Sequence, residues 1–228
     1  MYSRRLEDGA TPTFGVSGRL WNGVLVMYDR QSESFWTQLD GRAIQGELLG
    51  QRLSHVESVF TTWSRWVDAY PETLVLEKPP GERGQEGSSY TDYFADPERL
   101  FVPELAEGLG GIGPKDLVFG LFVGQEAFAV ESSVLAERGV VNAVVGRRPL
   151  AVVRGENGFV YAVDRRLGGK ITILEPQPGE DPRIAVRDAL TGQRIELARF
   201  ERVRVDRAFW YAWSRSHPAS IVLAGRER

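Results

Sequence analysis

The chain has no cysteine and only two histidines, His55 and His217. Disulfides, thiolate nucleophiles and thiolate metal sites are excluded together. Histidine-built metal sites and Ser-His-Asp triads lose nearly all their raw material, so no metal site and no cofactor is expected. Long apolar runs are absent as well. Residues 24–28 and 117–123 fall far below the ~18–20 residues a membrane helix needs, and the opening Met1-Tyr-Ser-Arg-Arg-Leu-Glu-Asp lacks the apolar core of an export signal. No membrane span is expected, and the chain as given reads as cytoplasmic. Charge of one sign is missing too: the net charge is −3 with both signs mixed throughout, so there is no basic field for a phosphate backbone. Nucleic acid is not an expected partner.

What is present, in 228 residues that are 42% hydrophobic, suffices for a soluble globular chain with a sizeable core. Four of the six tryptophans fall in two copies of one pattern. Trp63-x-x-Trp66 is followed by Pro71 and then Thr73-Leu-Val-Leu76. Trp210-x-x-Trp213 is followed at the same spacing by Pro218 and then Ser220-Ile-Val-Leu223. Such self-similarity marks an internal repeat, and it extends further. Ser3-Arg-Arg-Leu6 matches Asp164-Arg-Arg-Leu167, and Leu39-Asp-Gly-Arg-Ala-Ile44 matches Leu190-Thr-Gly-Gln-Arg-Ile195. Residues 116–163 have no counterpart before Met1. The first repeat therefore reads as incomplete, with an open sheet edge or apolar face near Tyr2 that a second chain or the connector covers; association of copies through this edge is one expectation.

The domain reading is a first lobe over 1–76, a connector over 77–115 and a second lobe over 116–228. Residues 13–18, 24–28 and 34–39 are β-rich runs bounded by turn residues, and 53–59 is a further candidate strand. From Val59 the apolar spacing becomes helical through Phe60, Trp63, Trp66, Val67 and Tyr70, ended by Pro71. A strand over 73–76 follows. The helical tryptophans read as core plugs rather than ligand platforms. In the second lobe, residues 116–123, 126–130, 149–154 and 159–163 read as strands, with Asn157-Gly158 as a hairpin turn. Ser132 to Arg138 reads as a helix stopped by Gly139. The fold class expected is α+β and strand-rich: two related lobes of antiparallel β-hairpins, each closed by a short Trp-x-x-Trp helix.

Candidate chemistry is sparse. Gly108-Leu-Gly-Gly-Ile-Gly113 matches the dinucleotide pattern, but neither a strand before it nor a helix opening after it is legible. Ser17, Asn22, Asp29, Arg30, Ser34 and Gln38 are polar residues at strand ends. They are either ordinary hairpin content or a group converging on a polar ligand, with Arg30 offering a fork to a carboxylate or phosphate. Tyr90, Tyr93 and Phe94 place aromatics on the connector. A carboxylate pair for hydrolysis could be drawn from Asp29, Glu33, Asp40, Asp164 and Asp188. His55 and His217 read as surface or packing residues, and the charged runs 77–83 and 199–207 as solvated faces.

The residues from Thr13-Phe-Gly-Val-Ser-Gly-Arg-Leu-Trp-Asn22 through Leu25-Val-Met-Tyr-Asp-Arg-Gln-Ser-Glu-Ser-Phe-Trp36, together with Trp63-x-x-Trp66 and Pro71, closely resemble the bacterial and archaeal family called domain of unknown function 3179. Gly139-Val-Val-Asn-Ala-Val-Val-Gly146 is similar to a Val-Val-Asn-Asp-type stretch in its later part. The resemblance implies no established activity. It also implies an earlier segment with a Cys-Pro-Leu-Cys-like motif, often behind an export signal. Neither is in this sequence; with such a segment upstream the location would be extracytoplasmic.

Three functions are compatible with these residues. The first is a non-catalytic binding or assembly module for a small polar ligand or a protein, with its site between the lobes at Ser17, Asn22, Asp29, Arg30, Gln38, Tyr90 and Tyr93. The second is a hydrolase using a carboxylate pair. The third is a structural subunit docking through its N-terminal edge.

Overall fold

The computed structural model describes residues 1–59, 61–77, 90–107, 111–124, 126–155, 158–177 and 185–225. Phe60, most of the breaker-rich run after Glu77, the glycines at 108 and 110, Gln125 and Asn157 lie outside the described residues, and with them part of the connector, of the glycine pattern and of the proposed hairpin turn.

The first lobe is an antiparallel meander of β1 (Phe14–Trp21), β2 (Val24–Asp29), β3 (Phe35–Thr37) and β4 (Ala43–Gln45), paired in chain order. Asn22 and Gly23 turn β1 into β2, both at positive φ (51° and 75°), which a two-residue hairpin of this twist requires. β1 runs three residues past Gly18, where its register with β2 shifts at a bulge. Beyond β4 the chain makes only isolated bridges, Arg42 with Arg52 and Tyr2 with His55, in place of a continuous strand over 53–59.

Helix α1 (Trp63–Ala69) is capped by Thr62, whose hydroxyl accepts from the Arg65 N–H, and so begins at Trp63, four residues later than the apolar spacing alone suggests. A hydroxyl N-cap outweighs the weak preference of Val59 for helix. Residues 73–76 belong to no strand, and the Thr73 N–H donates to the Tyr70 carbonyl. In the connector, α2 (Thr91–Ala95) and a 3-10 turn (Pro103–Ala106) pack against the second lobe.

Two packed sheets are built from residues 117–223. One has the order β16 (Asp206–Phe209), β5 (Leu117–Val123), β6 (Glu126–Glu131), β17 (Ile221–Leu223). The other has the order β15 (Arg202–Val203), β9 (Val160–Asp164), β8 (Arg148–Arg154), β7 (Val140–Val145). All pairings are antiparallel except β17 on β6. Alternate residues serve opposite faces. Phe119, Leu121, Phe128 and Val130 meet Val141, Leu150 and Val152 in the central layer, where α3 (Ser132–Arg138) adds Val134 and Leu135. Gly139 stops α3 at φ 69°, as its sequence position predicts.

Both sheets are covered on their outer faces as well. Val140, Ala151, Val153 and Val163 pack against a three-stranded meander of β12 (Leu174–Pro176), β13 (Ala185–Asp188) and β14 (Arg194–Glu196), with Trp66 of α1 alongside. The short hairpin β10 (Arg166–Leu167) and β11 (Lys170–Ile171) links β9 to that meander. Val118, Ala127 and Ala129 pack under α4 (Trp210–Ser216). Burial on two faces explains the near-continuous apolar runs of β5, β6 and β8.

The two Trp-x-x-Trp helices are buried unequally. Four residues of α4 are buried, Trp210, Tyr211, Ala212 and Trp213, and none of α1 is. Trp63 is 58% exposed where Trp210 is 7%, so the expectation of a core plug holds for the second helix and not for Trp63. Trp66 stacks on Phe159 at 6.4 Å, so α1 packs beside the cluster of β8, β9 and the β12–β14 meander. Among the described residues no helix is long and apolar enough to cross a membrane.

Candidate functional site

A cavity of about 980 Å³ opens between the β1–β4 meander and the β16–α4 corner. One wall is Phe14, Leu25, Met27 and Leu53; the facing wall is Leu117, Phe209 and Tyr211, with Phe94 of the connector at the rim. Large apolar concavities with few polar groups are the usual form of a binding site. The polar lining of this cavity is Tyr2, Ser3, Arg4, Gln38, Asp206 and Arg207.

Tyr2 and Asp206 belong to a largely buried polar network. Arg204 pairs with Asp206 at 2.8 Å, and both side chains are largely buried. Its guanidinium also donates to the Tyr2 hydroxyl and to the Leu39 carbonyl and lies over the Phe122 ring at 4.9 Å. Burial pushes the Asp206 carboxyl up, against the opposing pull of Arg204. Burial likewise pushes the Tyr2 phenol up to about 12, so it remains a neutral donor. Next to this, His217 Nε2 sits 3.4 Å from Asp40 Oδ1. Burial would raise the Asp40 acid, but the His217 contact and the Arg52 and Arg42 charges outweigh it and hold the carboxyl low. His55 packs edge-on to Tyr2. Its own burial, with the positive charge of Arg204, lowers its pKa to about 4.

The residues proposed from sequence are distributed differently. Ser17 donates to the Val26 carbonyl at 2.6 Å and accepts from the Arg19 N–H, pinning the β1 bulge. Asn22 reaches across to the Arg215 carbonyl at the end of α4. Asp29 is fully buried and accepts from Ser32 and the Trp36 indole. Ser34, buried beside it, accepts from the Leu48 N–H. Arg30 donates to the Phe14 carbonyl and lies over Tyr28. Tyr90 is an exposed aromatic beside Phe94 and Phe101. Tyr93 is buried, shares a hydroxyl contact with Tyr211 and stacks on Phe101. Only Gln38 of the proposed site residues lines the cavity, while Asn22 and Tyr93 join first lobe and connector to α4.

Arg204, Asp206 and Phe209 were not singled out by the sequence, and Tyr2 only as the neighbour of an open edge. Arg204 and Asp206 sit in a charged run that reads as a solvated face, and no local period marks them as buried.

The candidate carboxylates do not meet in this cavity. Asp29 is inside the first lobe, Asp40 faces His217, and Asp188 accepts from the Leu190 and Thr191 N–H groups at a turn. Asp164 is clamped by Arg166 and Arg148, which hold its acid well below the carboxylate range. Asp206 is the one carboxylate among the residues lining the cavity. Among the described residues no group of His, Asp and Glu is arranged to hold a metal ion.

No curated protein and no solved structure matches the chain. The model of one family, described as "Protein of unknown function (DUF3179)", matches residues 1–220. With nearly the whole chain inside that match, the protein belongs to the DUF3179 family.

Proposed function

We propose that the chain is a non-catalytic binding module built from two copies of one unit, and that the apolar cavity between its lobes receives the ligand. The observation carrying this function is the lining: it is mostly apolar, and Asp206, the one carboxylate among its described residues, is paired with Arg204. A hydrolase of the paired-carboxylate kind needs a second acid at a set separation, and the lining supplies none.

Support for the duplication comes from hydrogen bonds that recur at matched positions. The Trp66 indole donates to Thr73 at 2.9 Å and the Trp213 indole to Ser220 at 2.9 Å. Tyr70 and His217 cap their helices with nearly the same backbone angles, φ −137° and −133°, and each stacks against the preceding tryptophan. Ser3 N–H donates to the Ser54 carbonyl as Asp164 N–H does to Glu201. Thr37 and Gly41 close the same turn as Asp188 and Gly192.

An anilinonaphthalene sulfonate dye tests the cavity. The native chain is expected to bind it saturably with enhanced emission, and Ala208→Trp, which plugs the space, to abolish the enhancement. Leu76→Asp, remote from the cavity lining, should leave the enhancement in place. Equal emission from the native and Ala208→Trp chains would remove the cavity from the account.

A further inference from the structure

The turn between β3 and β4 is tight. The Thr37 N–H donates to the Arg42 carbonyl at 2.9 Å and the Gly41 N–H to the Thr37 carbonyl at 3.0 Å, with Gly41 at φ 63°. Thr37 and Arg42 are thereby set opposite one another, with Asp40 in the loop between them. The β1–β2 turn is fastened across the same space, where Asn22 donates its amide to the Arg215 carbonyl at 3.1 Å, near the end of α4. Between these turns lies a separate cavity of about 220 Å³, lined by Thr37, Asp40 and Arg42 together with Trp21, Val24 and Leu39. Val24 and Leu39 also line the larger apolar cavity.

Three polar atoms of this lining are buried and have no hydrogen-bond partner among the described residues: Thr37 Oγ1, Asp40 Oδ1 and Arg42 Nε. Thr37 is only 3% exposed. His217 Nε2 stands 3.4 Å from Asp40 Oδ1, but without hydrogen-bond alignment. Arg215 lines the cavity too, and its guanidinium already donates to the Glu104 and Glu107 carbonyls. Buried polar groups are ordinarily paired, because an unpaired one forfeits its hydration for nothing. Three of them around one space mark a place where a bound molecule supplies the partners.

The charges decide its class. Against its burial, Asp40 is held ionised by His217, Arg52 and Arg42, and the Arg42 guanidinium stays a cation. A simple anion would suit Arg42 and Thr37 but be repelled by Asp40, and a simple cation the reverse. A molecule carrying both signs satisfies all three atoms.

We propose that this cavity binds a small free amino acid, with its carboxylate on Arg42 and the Thr37 hydroxyl, its ammonium on Asp40 and its side chain against Trp21, Val24 and Leu39. The volume lies below the range of about 300–1,000 Å³ usual for drug-sized ligands, which limits that side chain to a few carbons. This site does not depend on the ligand of the larger cavity, and the dye titration above does not read it, so either reading can fail alone.

L-Alanine, acetate and ethylamine, titrated separately into the full chain labelled with fluorotryptophan, test the site. The Trp21 fluorine resonance is identified by its loss in Trp21→Phe. Alanine is expected to shift it saturably, with a Kd on the order of 1 mM or tighter. Acetate and ethylamine, each with one of the two charges, should bind roughly tenfold or more weakly. Thr37→Val removes a hydroxyl that has no partner among the described residues, so its urea midpoint should stay at or above the native one, while its alanine affinity falls by roughly tenfold. Arg42→Gln should weaken alanine at least as much. No saturable shift with alanine at tens of millimolar overturns the proposal, and water then serves the three atoms. So does acetate or ethylamine binding as tightly as alanine, or either variant binding alanine as the native chain does. A lowered midpoint in Thr37→Val overturns it as well, because the hydroxyl would then be paired within the protein.

Discussion

Trp213→Ala is expected to cost about 3–5 kcal/mol of folding stability, at the upper end for a core truncation. The indole is fully buried, donates to Ser220 and lies where a side chain at Gly120 would have to be, its ring filling that glycine's missing Cβ position. Truncation opens a cavity against a rigid sheet face and leaves the Ser220 hydroxyl without its donor. For a chain of this size that corresponds to a melting temperature lower by roughly 6–20 °C. Trp63→Ala is the control within the same motif. Its ring is mostly in solvent, so a change within about 0.5 kcal/mol is expected. Urea unfolding of the two variants side by side checks the contrast; equal losses would contradict the unequal burial of the two helices.

Asp29→Ala should be the most damaging substitution in the first lobe, by about 3 kcal/mol or more, since each buried donor left unpaired costs about 1–3 kcal/mol. The carboxylate accepts from the Ser32 N–H at 2.6 Å, the Ser32 hydroxyl at 2.7 Å and the Trp36 indole at 3.0 Å, all inside the hairpin turn that joins β2 to β3. Burial opposes ionisation there, but those donors win and hold the acid below its ordinary value. A depressed carboxylate contributes stability that is present above the ordinary carboxylate range and lost as the pH falls through the folded value. Asp29→Asn should therefore be milder at neutral pH and flatten the acid limb of the stability curve. A native-like acid limb in Asp29→Asn would contradict this role.

Much of the fold was legible because the local signals were redundant. Asn22-Gly23, Gly139 and the β-rich apolar runs within 116–163 each specify a backbone state through sterics or strand preference, without help from distant residues. Asp29 was readable as a hairpin residue, though its burial against Trp36 was not. What could not be read was which face meets which. Trp63 and Trp210 occupy the same place in the same motif, and only the presence of β5 and β6 beneath α4 decides that one is buried and the other bare. Arg204 and Asp206 look like surface charges until the first lobe closes over them, and Tyr2 becomes a site residue only through contacts with positions far along the chain.

Backbone amide exchange in the segments 74–76 and 221–223 tests most directly the claim that one copy of a repeated unit is covered and the other left open. Protection follows pairing and burial. In the chain by itself, 221–223 should exchange orders of magnitude more slowly than 74–76, while the cap amides of Tyr70 and His217 are both protected. Comparable exchange in the two segments would contradict the account.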